Sequence, residues 1–77
     1  MKKLELKEAF GKVIRELRDQ RGLSQQELAD YSEVDRTYLS DLERGLYYPT
    51  LNTVYKLADI LKIKPHELIQ KVDKEVL

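Results

Sequence analysis

Apolar residues recur every three or four positions along most of the chain, the spacing that places side chains on one face of an α-helix. The first such stripe ends before Gly22, a residue that favours a helix C-terminus, and it consists of Leu6, Phe10, Val13, Ile14 and Leu17. No segment shows the alternation of apolar and polar residues that indicates a half-buried strand. The pattern therefore predicts an all-α fold.

Two short helices follow, and each begins with a capping sequence. Ser24 and Glu27 have the spacing of a capping box, in which each side chain accepts a hydrogen bond from the other residue's backbone N–H. Asp35 is a favourable N-cap for the next helix, which is expected to end at Gly45. The two helices and the turn between them cover about residues 24–45.

The C-terminal third of the chain predicts two more amphipathic helices. After Pro49 and Thr50, the next apolar stripe consists of Leu51, Val54, Leu57, Ala58 and Leu61. Pro65 suits a first helical position and opens a last helix over about residues 65–75, whose apolar residues are Leu68, Ile69, Val72 and Val76. Residues 1–77 are thus expected to form one domain, a compact bundle of four to five short helices.

Composition limits how this bundle is stabilised. The 77 residues include no cysteine, so no disulfide or thiolate metal site is available, and stability must come from packing. No apolar run is long enough for a membrane span or a signal peptide. We therefore expect a soluble cytoplasmic domain with no membrane partner.

The net charge is zero, but the charges are unevenly distributed. Residues 1–21 carry seven basic and four acidic groups, whereas residues 22–35 carry four acidic groups and no basic ones. Net charge governs long-range attraction to phosphates, while local charge governs contact. The balance predicts weak non-specific affinity for nucleic acid, so that any binding would rely on shape and direct contacts.

The predicted third helix, Arg36–Arg44, has one apolar side and one polar side. At about 100° per residue, Leu39 and Leu42 face the core. The side chains that face away are Thr37, Ser40, Asp41 and Arg44, flanked by Arg36 and Tyr38. Two short helices joined by a tight turn form a helix-turn-helix, whose second helix fits the DNA major groove. Ordinary solvent exposure produces the same pattern, so spacing alone leaves both interpretations open.

Several motifs resemble those of the Cro and phage-repressor helix-turn-helix proteins, the XRE family. They are "LSQQELA", "YLSDLERG" and the trailing "P…L…V…LADIL", and the resemblance covers roughly residues 10–70. The segment "DRTYLSDLERG" is further similar to the controller proteins of restriction–modification systems. The resemblance implies a lambda-repressor-like domain that regulates transcription and binds an inverted repeat in double-stranded DNA as a homodimer, with no cofactor.

The resemblance also implies which residues contact DNA. Gln25 matches a glutamine that meets a phosphate, although a capping turn also suits an exposed polar residue. Arg36 and Thr37 match positions that reach base edges, and Arg36 has phosphate as an alternative partner. Tyr47 and Tyr48 either offer their hydroxyls to phosphates or pack against the fourth helix. The complete predicted DNA-binding set is Gln25, Gln26, Asp35, Arg36, Thr37, Tyr38, Ser40, Asp41, Arg44 and Tyr47.

Other positions are assigned to structure and assembly. Arg18 and Glu43 match the interior ion pair of the family, which joins the first helix to the end of the third. Glu33 stands where the family usually has glycine, and a left-handed backbone there costs a non-glycine residue roughly 1 kcal/mol. The predicted dimer interface lies on the last helix, unless its stripe packs onto its own domain, and consists of Ile69, Val72, Val76 and Leu77.

No catalytic constellation is present in the sequence. No titratable pair accompanies a nucleophile, a metal ligand or a phosphate-binding glycine loop, so an enzyme is not expected. His66 is the only histidine, and neither a metal site nor a small-molecule ligand is predicted. The alternative to DNA binding is a protein–protein interaction module, antitoxin-like or adaptor, because Leu46 and Tyr47 lie beside the predicted DNA-binding face.

Overall fold

The computed structural model describes residues 3–76 and contains five helices over that range. They are α1 (Leu6–Gln20), α2 (Gln25–Ser32), α3 (Arg36–Glu43), α4 (Leu51–Ile60) and α5 (Pro65–Glu75). The predicted all-α bundle is confirmed, and the only β-pairing within residues 3–76 is an isolated parallel bridge between Leu4 and Val76. None of the described helices is both long and apolar enough to cross a membrane.

The helix boundaries in the central region follow from side-chain caps. Ser24 Oγ accepts a hydrogen bond from the Glu27 N–H at 3.0 Å, and the Glu27 carboxylate accepts one from the Ser24 N–H at 2.9 Å. Asp35 Oδ2 accepts a hydrogen bond from the Tyr38 N–H at 3.0 Å and so starts α3. Arg44 is the C-cap of α3, so the helix ends at Glu43, one residue before the predicted Arg44 and two before the stop signal at Gly45.

A single apolar core holds the five helices together. Fifteen apolar side chains of the described residues are buried, and α1 contributes five of them, namely Ala9, Phe10, Val13, Ile14 and Leu17. Helix α1 packs against α3 and α5, while α4 packs against α2 and α5. Burying a side chain such as Leu or Ile is worth roughly 1.5–3 kcal/mol, so this core supplies the stability that disulfides provide in other small domains.

Gly11 allows α1 and α3 to approach each other closely. A Cβ atom at this position would lie 2.3 Å from the Leu42 carbonyl oxygen and 2.7 Å from that of Glu43. Glycine inside a helix costs roughly 0.5–1 kcal/mol relative to alanine. Here that cost is offset because the absent side chain lets the end of α3 lie directly on α1.

The turn between α2 and α3 contains a left-handed residue that is not glycine. Glu33 has φ 57° and ψ 43° and is the C-cap of α2. Its N–H donates to the Asp30 carbonyl at 3.2 Å, and the Val34 N–H donates to the Ala29 carbonyl at 3.0 Å. These two bonds satisfy carbonyl groups at the end of α2, so the turn keeps the geometry expected for glycine despite its glutamate.

Much of the predicted dimer stripe is used within the domain, which corrects that prediction. Val72 is only 3% exposed and belongs to the core. Val76 lies beyond the end of α5 in an extended conformation, partly buried against the core, because it pairs with Leu4. Leu77 lies outside the described residues. Within residues 3–76, Ile69 is the one residue of this stripe whose side chain is exposed, with 48% of its surface accessible.

Glu75 fastens α5 to the N-terminal part of the chain. Its carbonyl oxygen accepts a hydrogen bond from the Leu4 N–H at 2.8 Å, and its carboxylate meets the Lys12 ammonium at 2.7 Å. The hydrogen bond to Glu75 raises the pKa of Lys12 above its ordinary value. Backbone and side chain of one residue thus set the direction in which α5 packs on α1.

We expect Glu33→Gly to stabilise the protein by up to about 1 kcal/mol. Relief of the left-handed strain is worth roughly 1–2 kcal/mol, and the greater freedom of glycine in the unfolded chain removes about 0.4–1 kcal/mol of it. Urea unfolding measures the difference. Glu33→Ala is the control, because it removes the charge but retains the strain; equal stabilisation by both variants would contradict this explanation.

Candidate nucleic-acid interface

Helix α3 buries its apolar side and turns a row of polar side chains outward. Leu39 and Leu42 are fully buried. Arg36 and Thr37 are exposed in the first turn, and Ser40 is half-buried one turn later. At eight residues α3 is about 12 Å long, comparable with the width of the DNA major groove. The row therefore has the size and polarity of a surface that contacts base edges.

The orientation of α3 is set by a buried carboxylate, that of Glu43. Arg18 donates to it twice, from Nε to Oε2 at 2.7 Å and from Nη2 to Oε1 at 2.9 Å. Gln25 Nε2 donates to the same Oε1 at 3.0 Å. The Glu43 side chain is 2% exposed and that of Arg18 is 13% exposed. One carboxylate thus joins α1, the start of α2 and the end of α3.

The geometry of this Glu43 network satisfies the charges that it buries. A bidentate Arg–carboxylate pair is charge-assisted and directional. The remaining Arg18 nitrogen, Nη1, donates to the Leu23 carbonyl at 2.9 Å. The hydrogen bond to Glu43 raises the pKa of Arg18, although burial acts in the opposite direction. Because desolvation offsets much of the attraction, the network fixes helix geometry more than it adds net stability.

Gln25 has two separate roles, one for its side chain in the interior and one for its backbone at the start of α2. Its side-chain amide donates inward to Glu43, while its backbone begins α2. The first N–H groups of a helix have no intrahelical acceptor and carry a partial positive charge, which favours a phosphate. Gln26 is exposed beside it, and its amide donates to Asp30 Oδ1 at 2.9 Å. The start of α2 is therefore suited to contacting the DNA backbone rather than the bases.

Several other predicted DNA-binding residues have partners within the protein. The Asp35 carboxylate caps α3, and the Tyr38 ring packs partly against the core. Asp41 Oδ1 forms an ion pair with Arg44 Nη2. Tyr47 remains more than half exposed. The free polar surface of α3 is consequently centred on its first turn, at Arg36 and Thr37.

Two contributors to this site, Gly11 and Leu23, were missed by the sequence analysis, and Tyr48 has a partner that the analysis did not name. Gly11 permits the close contact between α1 and α3, and the only signal was a glycine within an apolar stripe. Leu23 contributes its backbone carbonyl, for which side-chain patterns carry no signal. Tyr48 lies beneath the Lys7 ammonium, with the nitrogen 5.5 Å from the ring centroid. This cation–π contact ties the loop after α3 to the start of α1.

Comparison with known proteins gives relatives for most of the chain. The sequence model of the helix-turn-helix family HTH_3 matches residues 14–68. The chain is 42% identical over 60 residues to the HTH-type transcriptional regulator DdrOP3 of Deinococcus deserti. That match covers 78% of this chain and 46% of the relative, so the chain spans about half the relative's length.

Two solved structures have the same fold. The restriction–modification controller protein C.AhdI from Aeromonas hydrophila is 45% identical with a TM-score of 0.78, over 80% of this chain and 94% of that one. SinR, the master regulator for biofilm formation, was solved in complex with DNA; it is 33% identical with a TM-score of 0.75, over 78% of this chain and 97% of that one. These relatives are transcriptional regulators and a controller protein, not enzymes.

We expect Glu43→Gln to destabilise the fold by about 3–5 kcal/mol, because it removes the buried counter-charge of Arg18 and leaves only the exposed Asp19 carboxylate, at 3.6 Å. Replacing both Arg18 and Glu43 with leucine should cost much less stability than Arg18→Leu and Glu43→Leu measured singly and added together. A double-mutant cycle of urea unfolding measures the coupling. A coupling energy near zero would show that the two side chains do not stabilise each other.

Proposed function

Because the chain belongs to the helix-turn-helix family whose model matches residues 14–68, we propose that it is a sequence-specific, double-stranded DNA-binding regulator of transcription, acting in the cytoplasm. The observation that carries the proposal is the exposed first turn of α3 on a helix held by the Glu43 network. The complex of SinR with DNA supports it, since that relative has the same fold.

The proposed roles follow the chemistry of each side chain. Arg36 presents a planar guanidinium that can donate two hydrogen bonds to O6 and N7 of a guanine, and Thr37 offers a hydroxyl and a methyl group to the neighbouring bases. Gln25 and the N–H groups at the start of α2 bind a phosphate and set the register. The net charge of zero means that these contacts, rather than general attraction, supply the affinity.

We further propose that the protein binds as a homodimer. A single short recognition helix covers only a few base pairs, and a neutral protein gains little from non-specific attraction. A groove between α1, α5 and the loop after α3 is lined by the apolar side chains of Leu6, Tyr48 and Ile69, all about half exposed or more. The groove includes Ile69, Val72 and Val76 of the predicted stripe and extends the proposed contact surface to Leu6 and Tyr48.

Selection of genomic fragments on the purified protein, followed by footprinting, tests the proposed function. We expect enrichment of a short inverted repeat with two protected half-sites whose centres are about ten base pairs apart. If no duplex is enriched, a protein-binding role becomes the better explanation, because Leu46 and Tyr47 are exposed beside α3.

Arg36→Ala should lower specific affinity by about 1–3 kcal/mol and remove the preference at one base position per half-site. Gln25→Ala removes the hydrogen bond that holds the start of α2 on Glu43. It should weaken binding to all sequences more evenly, because the backbone N–H groups positioned there contact a phosphate, which carries no sequence information. Titrations against single-base variants of the selected site separate the two effects. Equal losses on every variant for Arg36→Ala would show that Arg36 does not read a base.

Ile69→Asp should yield a folded monomer with much weaker binding to the two-half-site operator, because it places a charge in the proposed apolar contact. Sedimentation measures the oligomeric state with and without DNA. Tyr31→Asp is the matched control: it also adds a charge at an exposed apolar position, but on α2 and outside the groove. A wild-type protein that is already monomeric on its operator would contradict the proposed dimer.

A further inference from the structure

Arg44 is one of only two basic residues between positions 22 and 55, the other being Arg36. The region that contains α2, α3 and the following loop therefore has little positive charge with which to attract phosphates. Arg44 lies at the end of α3, and its side chain is 62% exposed. Its availability has a large influence on how strongly this face attracts DNA of any sequence.

The structure shows Arg44 occupied by a neighbouring carboxylate. Asp41 lies three residues earlier on α3, and its Oδ1 forms an ion pair with Arg44 Nη2. Residues three apart on a helix lie on the same side, so the pair forms along the helix surface. The Asp41 side chain is only 17% exposed, whereas its arginine partner is largely in solvent. The carboxylate is therefore the more fixed member of the pair.

We propose that Asp41 is a positioning residue that restrains Arg44 in the free protein and thereby limits non-specific binding to DNA. This inference rests on the proposed DNA-binding function. A phosphate presents to a guanidinium the same charge and hydrogen-bond geometry as a carboxylate, so the two compete for Arg44. A phosphate must displace Asp41 before Arg44 can contribute, and the displaced carboxylate then repels the same DNA backbone.

The strength of the ion pair suits this role. Exposed ion pairs are weak and are screened by salt, so the pair between Asp41 and Arg44 opens readily when other contacts hold DNA in place. At an operator, Arg36 and Gln25 hold the duplex while the exchange occurs. On other sequences fewer contacts hold the duplex, and the same exchange reduces an already weak affinity. The pair therefore lowers the affinity for DNA of arbitrary sequence by a modest factor that depends on salt.

The test uses a duplex of arbitrary sequence, so it does not require the operator. Binding of the full chain to a labelled duplex of about 24 base pairs is measured by fluorescence anisotropy over a series of salt concentrations. Asp41→Asn should tighten binding by about two- to fivefold and steepen the slope of log K against log salt by about 0.9, the value expected for one added phosphate contact. Asp41→Ser provides a second variant with the same expectation.

Two controls separate release of Arg44 from a general change of charge. In an Arg44→Ala background, Asp41→Asn should tighten binding less, because it removes only the repulsion between the carboxylate and the DNA backbone, and it should not steepen the salt slope. Asp30→Asn removes an equal charge from α2, where the carboxylate pairs with the neutral amide of Gln26, and should not steepen the slope. Equal tightening by Asp41→Asn in both backgrounds, or no tightening at all, would overturn the inference.

The outcomes also distinguish this inference from the function on which it rests. If the wild-type protein binds no duplex, the proposed function fails and the inference fails with it. If the wild type binds and Arg36→Ala weakens binding to the operator, while Asp41 and Arg44 show no coupling, only the inference is wrong. Thermal unfolding by circular dichroism confirms that each variant is folded before it is titrated.

Discussion

The carboxylate of Glu43 is the point on which the arrangement of the first three helices depends. It accepts three hydrogen bonds, two from Arg18 on α1 and one from Gln25 at the start of α2, while its own backbone forms the end of α3. An unpaired charge at a site 2% exposed would be costly, so the three helices are stable together only when these groups meet. Gly11 makes the meeting possible because a Cβ atom there would overlap the Glu43 carbonyl. The position of the polar face of α3 is thus determined from inside the domain.

This internal constraint explains how a chain of zero net charge can present the DNA-binding face proposed for α3. Strongly basic proteins gain affinity from any duplex through the release of counterions, and that gain carries no sequence information. A neutral chain lacks it and depends on a few directional contacts, which are useful only if the side chains are held in place. The same reasoning applies to Asp41 and Arg44, whose pairing lowers the free positive charge beside the groove-facing residues. The fixed position of α3 and the pairing of Arg44 with Asp41 therefore both make binding depend on a few directional contacts and less on general attraction to phosphates.

The sequence predicted well what depends on local patterns and poorly what depends on distant contacts. Capping residues such as Ser24 and Asp35 determine their own helix starts, so the first residues of α2 and α3 were predicted correctly. Resemblance suggested a pairing of Arg18 with Glu43, residues that are 25 positions apart and that the structure brings together. The error concerned α5, where helical spacing placed Val72 and Val76 on one outward stripe. Spacing shows that residues share a face but not which neighbour covers it, and here α1 and the segment at Leu4 do so.

The packing of α5 has a consequence for how a second copy can be accommodated. Because the Glu75 carbonyl accepts a backbone hydrogen bond from Leu4 and its carboxylate holds Lys12, α5 is tied to α1 at its C-terminal end. Exchange of α5 between two copies would require breaking both contacts and exposing Leu68 and Val72, which are buried in the core. A dimer formed by docking two intact domains leaves those contacts in place and covers side chains that are already exposed, such as Ile69. Surface docking therefore avoids the barrier that exchange of α5 would have to cross, and it keeps each α3 fixed relative to its own Glu43 network.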